Sequence, residues 1–248
     1  MSNVILSIVA RYSFDKIEPF LLSLKNVGYK DDLVLFIQNN PPETLIKIKQ
    51  LFPNVKFINF ENFGMRYSML RHFLILSYLL NNQHDKVMIT DSRDVLFQDE
   101  PFKYIKNNKL YCSLEDEVIG KCVHNSAWIK QVYGETILNS MYHQTIACAG
   151  VVLGGYNNMY DYLYKTNAQL EFFGYRNDYD QAIHNHIIFN DEIVMNLVNN
   201  KTGFLVTIGH TKKKDLLFEN GKLINDNKIA IIHQYDRHEK LFKEKWRQ

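Results

Sequence analysis

Two carboxylates, Asp91 and Asp94, stand three positions apart where an apolar run ends in KVMITDSRDVLFQDEP, residues 86 to 101. Acids that close a buried strand cost free energy unless something neutralises them. A hard divalent cation, Mn2+ or Mg2+, does so through carboxylate oxygens and keeps positions open for a substrate's phosphates. One carboxylate then binds the ion, and the other holds a ribose hydroxyl or an ion-bound water. The competing reading is an aspartate-rich turn in which Arg93 pairs one of the acids. A second polar cluster closes the chain: KIAIIHQYDRH sets His233 directly after an apolar run, with Asp236, Arg237 and His238 behind it. Histidine is a competent ligand when a neighbour orients its other nitrogen, and Arg237 suits a phosphate oxygen. A lone histidine after a strand is more often structural.

Residues this far apart meet only if the elements between them carry them to one edge. NVILSIVA reads as a buried strand, and Phe14, Ile17, Leu21 and Leu24 recur at helical spacing before the strand DLVLFIQ. PPETLIKIKQLF opens on prolines suited to a helix start and leads into the half-buried strand NVKFINF. Tyr67, Leu70, Phe73, Leu74 and Tyr78 mark a long amphipathic helix, and KVMIT is the fourth strand. This alternation predicts an α/β chain with a doubly wound, mostly parallel central sheet flanked by helices, whose ligands sit beyond the carboxyl ends of the strands. Asp91 and Asp94 occupy such an end. Further on, KLYCSL, AGVVLGG, GFLVTI and KIAIIHQ read as strands, MYDYLYKTNAQLEFF and YDQAIHNHIIF as helices, and KLFKEKWRQ as a charged tail.

Composition narrows the function classes. The 248 residues are 46% hydrophobic with a formal charge of +2, enough for one large core and too balanced for a nucleic-acid footprint. No repeat or linker divides the chain, so residues 1–248 are expected to form a single domain. Its first half, to about residue 110, faces one ligand, and residues 111–248 face another. No run approaches the roughly 18 apolar residues of a membrane span, and no basic leader opens the chain, so a soluble, cytoplasmic protein is expected. Cys112, Cys122 and Cys148 are too few and too dispersed for a disulfide framework or a zinc site. They read as core thiols of a reducing compartment.

VMITDSRDVLFQDEPF, CAGVVLGG, DYDQAIHN and IIHQYDRH, in this order after the alternating start, resemble the glycosyltransferases of the GT-A (Rossmann-like) fold over roughly residues 4 to 240. The resemblance implies transfer of a sugar from a nucleotide-diphosphate donor, UDP-linked by default with GDP open, to a glycan or other hydroxyl acceptor. It implies Mn2+ or Mg2+ at Asp91, Asp94 and His233, with Asp94 favoured as direct ligand and Asp91 nearer the ribose or an ion-bound water. Arg93 stands where a strict Asp-x-Asp motif would carry its second acid. The same comparison places Ala10, Arg11 and Tyr12 at the nucleotide base, Arg66 and Arg71 at the diphosphate or donor sugar, and Arg237 at a phosphate. It puts Gly150, Gly154 and Gln181 with the sugars, on a smaller acceptor-side sheet and its surroundings. Asp180 is the candidate general base, against a helix-capping role, with Asp178 in reserve. His184 and His186 are read as structural, and Lys212 to Lys214 as a solvated charge run rather than a closing loop. A viral or bacterial glycan pathway fits the resemblance.

Two competing enzymes are disfavoured by what is missing. A sugar-nucleotide nucleotidyltransferase needs a Gly-rich basic loop after the first strand, and VARYSFDKIEP has no glycine. An aspartyl phosphatase needs a nucleophilic Asp-x-Asp near the first strand. A catalytically silent protein that binds carbohydrate or nucleotide sugar is the reading from outside enzymology. The sequence leaves the donor sugar, the acceptor, the stereochemical outcome and the oligomeric state open.

Overall fold

The computed structural model describes residues 2–174, 179–190 and 192–246. The chain opens β1 (Val4–Ala10), α1 (Phe14–Asn26), β2 (Asp32–Gln38), α2 (Pro42–Leu51), β3 (Lys56–Asn59), α3 (Tyr67–Leu79), β4 (Lys86–Thr90) and β5 (Val95–Phe97). It continues β6 (Leu110–Val118), α4 (Val123–Met141), β7 (Thr145–Gly155), α5 (Tyr156–Phe173), α6 (Asp180–Phe189), β8 (Met195–Val198) and β9 (Leu205–Thr207). A hairpin of β10 (Leu217–Glu219) and β11 (Lys222–Ile224), then β12 (Ile231–His233) and α7 (Glu239–Trp246), complete it.

The central sheet has seven strands in the order β3-β2-β1-β4-β7-β6-β8. β1, β2, β3 and β4 run parallel, β7 runs against both β4 and β6, and β8 is again parallel to β6. It takes strands from both sides of residue 110. Buried on two faces, β1 is apolar nearly throughout rather than alternating. Its successive side chains serve opposite layers: Val4 and Leu6 join a core roofed by α3, α5 and α6, whereas Ile5 and Val9 join one built with α1. A three-stranded sheet, β5-β12-β9, stands beside this framework.

α2 begins as its prolines predict, with Pro41 as the capping residue and Pro42 at the first helical position. α4 was not anticipated from the sequence. Its start has no side-chain cap, and Gly134 breaks it with φ 84° and ψ 176°, so neither of its ends signals itself. Among the described residues no helix is long and apolar enough to cross a membrane. All three cysteines are buried free thiols.

Candidate active site

Sheet register brings the distant acids and the histidine together. Thr90 of β4 pairs with Val151 of β7, so the next residue, Asp91, lies opposite Gly150 and donates its amide to the Gly150 carbonyl at 2.9 Å. Val95 of β5 pairs with His233 of β12, which sets Asp94 one residue from the imidazole. The loop between is pinned where Ser92 Oγ donates to the Ile8 carbonyl, 2.9 Å, and Ser7 Oγ donates to the Thr90 carbonyl, 2.6 Å. His233 Nε2 stands 3.4 Å from Asp91 Oδ2 and 3.6 Å from Asp94 Oδ2. On the far side of the ring, Thr207 Oγ1 lies 3.2 Å and Cys148 Sγ 3.4 Å from Nδ1.

Arg71, on the buried face of α3, ties together the loop after β4, strand β7 and the start of α6. Its guanidinium donates to Asp91 Oδ1 at 2.6 Å, to Asp180 Oδ2 at 2.9 Å and to the Ala149 carbonyl at 2.9 Å. Burial disfavours a charge at Asp91, yet Arg71 and His233 outweigh it and hold that carboxyl below its ordinary pKa. Asp94 goes the other way: burial raises it, Asp91 and Asp236 add to the rise, and His233 opposes. For His233 burial works against the cation, but Cys148, Asp94 and Asp91 carry it well above the usual histidine value. The cluster thus concentrates negative charge around one imidazole.

These three side chains suit a divalent cation. One ligand atom from each of Asp91, Asp94 and His233 falls within 4.8 Å of the others. His233 Nε2 is buried without a hydrogen-bond partner among the described residues, and Thr207 with Cys148 fixes the opposite nitrogen as a second coordination layer would. Gly150 leaves the space: a Cβ there would come 2.2 Å from His233 Cε1 and 2.8 Å from Asp91 Oδ2. Both motif aspartates belong to the group, and Asp91 also carries the arginine.

Two clefts meet at this point, each about 240 Å³, and share Ser68, Arg71 and Asp91. The first is walled by Ile8, Ala10, Tyr12, Tyr67, Ser92, Arg93 and Asp94. The second runs along Glu115, Asn125, Trp128, Gln181, His210 and Gln234, with Asp180, Gly150 and His233 at its floor. Ala10, Tyr12, Arg71, Asp91, Gly150, Asp180 and Gln181 are therefore gathered as the sequence suggested. Gln181 Oε1 accepts the Ala149 amide at 3.0 Å, which anchors α6 against β7.

Other expected residues stand apart. Gly154 does not reach the site: it pairs with Val87 at the opposite end of β7, where a Cβ would strike the Lys109 carbonyl at 2.3 Å, so close strand packing accounts for its size. Arg11 is exposed in a left-handed turn, φ 59°, and Arg66 and Arg237 are exposed outside the walls of either cleft. Arg93 pairs with Asp236 at 3.3 Å rather than with a motif acid. Tyr179 occupies the cap position of α6, and the Asp180 carboxylate meets Arg71 at 2.9 Å. Asp178 lies outside the described residues. His184 bonds Tyr162 Oη at 2.9 Å and His186 stacks on Tyr133. Lys212, Lys213 and Lys214 are exposed.

Sequence reading overlooked Tyr67, Ser68, Glu115, Asn125, Trp128, His210 and Gln234. Glu115 is buried on β6, but the acids Asp116 and Glu117 follow it, so LEDEV does not single it out. The others rest on α4 and on loops whose placement only the fold decides.

No protein-family model matches this chain, and no curated protein matches it either. Solved structures do. The galactosyltransferase LgtC, in complex with donor and acceptor sugar analogs, superposes with TM-score 0.57 and 14% identity over 93% of this chain and 86% of its own. A glutamine-to-glutamate active-site mutant of LgtC gives TM-score 0.57 at 13% identity, with the same coverage. The apo form of the glycosyltransferase GlyE from Streptococcus pneumoniae TIGR4 gives TM-score 0.59 and 16% identity over 94% of this chain and 54% of that one. The chain has the fold of these enzymes, the GT-A fold that its motifs resembled.

Proposed function

We propose that this protein is a metal-dependent glycosyltransferase, which moves a sugar from a nucleotide-diphosphate donor, UDP-linked in the first instance, to a hydroxyl of a glycan acceptor. The observation that carries the reading is the convergence of Asp91, Asp94 and His233 at the junction of two clefts. That junction lies at the carboxyl end of β4, where α/β sheets take their ligands. The fold shared with LgtC and GlyE adds support.

In this reading the first cleft takes the nucleotide, with Tyr12 and Ala10 against the base. Asp91, Asp94 and His233 would hold Mn2+ or Mg2+, whose charge would offset the negative charge of the departing nucleoside diphosphate. Arg71 fixes Asp91 and Asp180 in one frame, so both acids are placed before a substrate arrives. Asp180 accepts the acceptor's proton as the new bond forms, at an anomeric carbon with oxocarbenium character. Gln181 lies beside it, and LgtC too has an active-site glutamine, the one altered in the mutant described above. Exposed Arg66 and Arg237 are assigned to phosphate oxygens, and each would have to turn inward.

The test is calorimetric titration of UDP, and separately of GDP, in the presence of Mn2+, repeated with EDTA and with Asp94→Ala. The reading expects one nucleotide to bind only with the ion and to weaken by at least ~100-fold in the variant. Binding indifferent to the ion and to Asp94 would make the three side chains structural and remove the reading's foundation.

A further inference from the structure

We infer that His72 is a positioning residue: its imidazole accepts the Nε–H of Arg71 and so sets the plane in which that guanidinium meets Asp91 and Asp180. What this does for sugar transfer rests on the function proposed above, but the hydrogen-bonding role stands on the geometry of the free protein.

Arg71 and His72 are neighbours on α3, only 6% and 1% exposed. The outer end of the guanidinium is committed: Nη1 donates to Asp91 Oδ1, and Nη2 donates to Asp180 Oδ2 and to the Ala149 carbonyl. A planar group held at its outer end alone can still roll about the line through those contacts. The inner N–H closes that freedom. Arg71 Nε donates to His72 Nε2 at 3.5 Å, at the long end of hydrogen-bond range. Because the fork is rigid, an orientation fixed at Nε is an orientation fixed at both acids.

An imidazole is a costly side chain for this position unless one of its nitrogens is used. The same face of α3 buries Met69, Leu70 and Ile75, and His72 Nδ1 has no hydrogen-bond partner among the described residues. An orphaned polar atom in a core costs free energy that an apolar side chain avoids. The contact that offsets it is the one to Arg71. Nε2 must then carry the lone pair, which puts the ring proton on Nδ1. Burial first, then Arg71 and His184, hold His72 well below the ordinary histidine value, which keeps that lone pair free of a proton.

The ring is held in turn from behind. It meets Tyr162 of α5 edge to face, with centroids 6.2 Å apart at 67°, and Tyr162 Oη lies 2.9 Å from Nδ1 of His184 on α6. Tyr162 and His184 are wholly buried, and none of the three side chains lines either cleft. They touch no substrate and act only through the arginine. The chain ends on α6, the helix whose first residue is Asp180.

Protein labelled with 15N-histidine reports the tautomer directly, the His72 signals being those lost in His72→Leu. The expected spectrum places the proton on Nδ1. A proton on Nε2 overturns the proposal, because that nitrogen could not then accept. Mn2+ titration without nucleotide reads the positioning itself. His72→Leu keeps the bulk and loses the acceptor, and it should weaken Mn2+ about tenfold, the low end of what an outer partner of a metal ligand contributes. His72→Gln returns an acceptor oxygen and should restore most of the loss. In transfer assays kcat should follow the same order while the acceptor KM stays as it was. Undiminished Mn2+ binding in the leucine variant, or equal losses in both variants, makes His72 a packing residue and overturns the proposal. If the wild-type protein binds neither Mn2+ nor UDP, the transferase reading falls, and the tautomer alone then upholds or removes the bond to Arg71.

Discussion

The two clefts are built by different means. The first is assembled from contiguous sequence, residues 8 to 94, at the ends of neighbouring parallel strands and the start of α3, and Ser7 and Ser92 cross-tie its floor. The second collects Glu115 from β6, Trp128 from α4, Gln181 from α6 and His210 from a loop, on a helix that breaks at Gly134. A wall made of strand ends is fixed by the sheet itself, whereas a wall made of helix and loop side chains changes with single residues. The difference teaches that such a chain can keep one ligand constant while its other ligand varies.

The largest expected effect falls on the group common to both. Arg71→Met leaves the carboxylates of Asp91 and Asp180 without their buried cation. Loss of one partner of a buried pair costs ~3–5 kcal/mol, so urea unfolding should show a drop of that order, and ligand binding at both clefts should suffer together. If only one cleft is affected, the shared wall is an illusion of proximity. Asp180→Asn separates the clefts instead: kcat should fall by about 10²–10⁴, while nucleotide affinity measured by calorimetry stays as it was. Equal losses in both quantities would place Asp180 on the donor side.

Gly150→Ala sharpens the comparison at the junction. The added methyl meets His233 and Asp91, and displaced ligands of this kind cost about 10–100-fold in metal affinity, readable by Mn2+ titration. A further effect is graded by pH and is small over any one unit. His184, buried in the core and near Arg71, is pushed down to about 3 by burial first and by that charge second. Its native form stays neutral where the unfolded chain, near 6.5, takes up a proton. Stability is therefore full above about pH 6.5 and falls as pH drops toward 3, by up to about 1.4 kcal/mol per unit. Urea midpoints at several pH values, compared with His184→Gln, should show a shallower slope in the variant.

The same contrast explains what the sequence disclosed. β1 to β4 and α1 to α3 each carry their own period, so their types and the position of Asp91 at a strand end were legible from residues alone. His233 was legible as a candidate, but its partnership with Asp94 depends on the register of β5 against β12, 138 residues apart at Val95 and His233. α4 announces neither end, and the cleft it walls stayed hidden with it. The β10–β11 hairpin turns at Asn220-Gly221, both at positive φ, 49° and 75°, a strong short-range turn signature that the sequence reading passed over. Gly154 shows the reverse hazard: a glycine near a site in sequence that serves packing thirteen or so ångströms away along its strand, at about 3.3 Å per residue.

Arg71 touches Asp91 on one side and Asp180 on the other with a single planar group. A ligand that draws this guanidinium toward one acid alters what the other acid can offer. Thermodynamic reciprocity then requires that whatever factor the first occupant imposes on the affinity of the second be returned in equal measure. Any such coupling between the two clefts would pass through the N–H groups of one side chain.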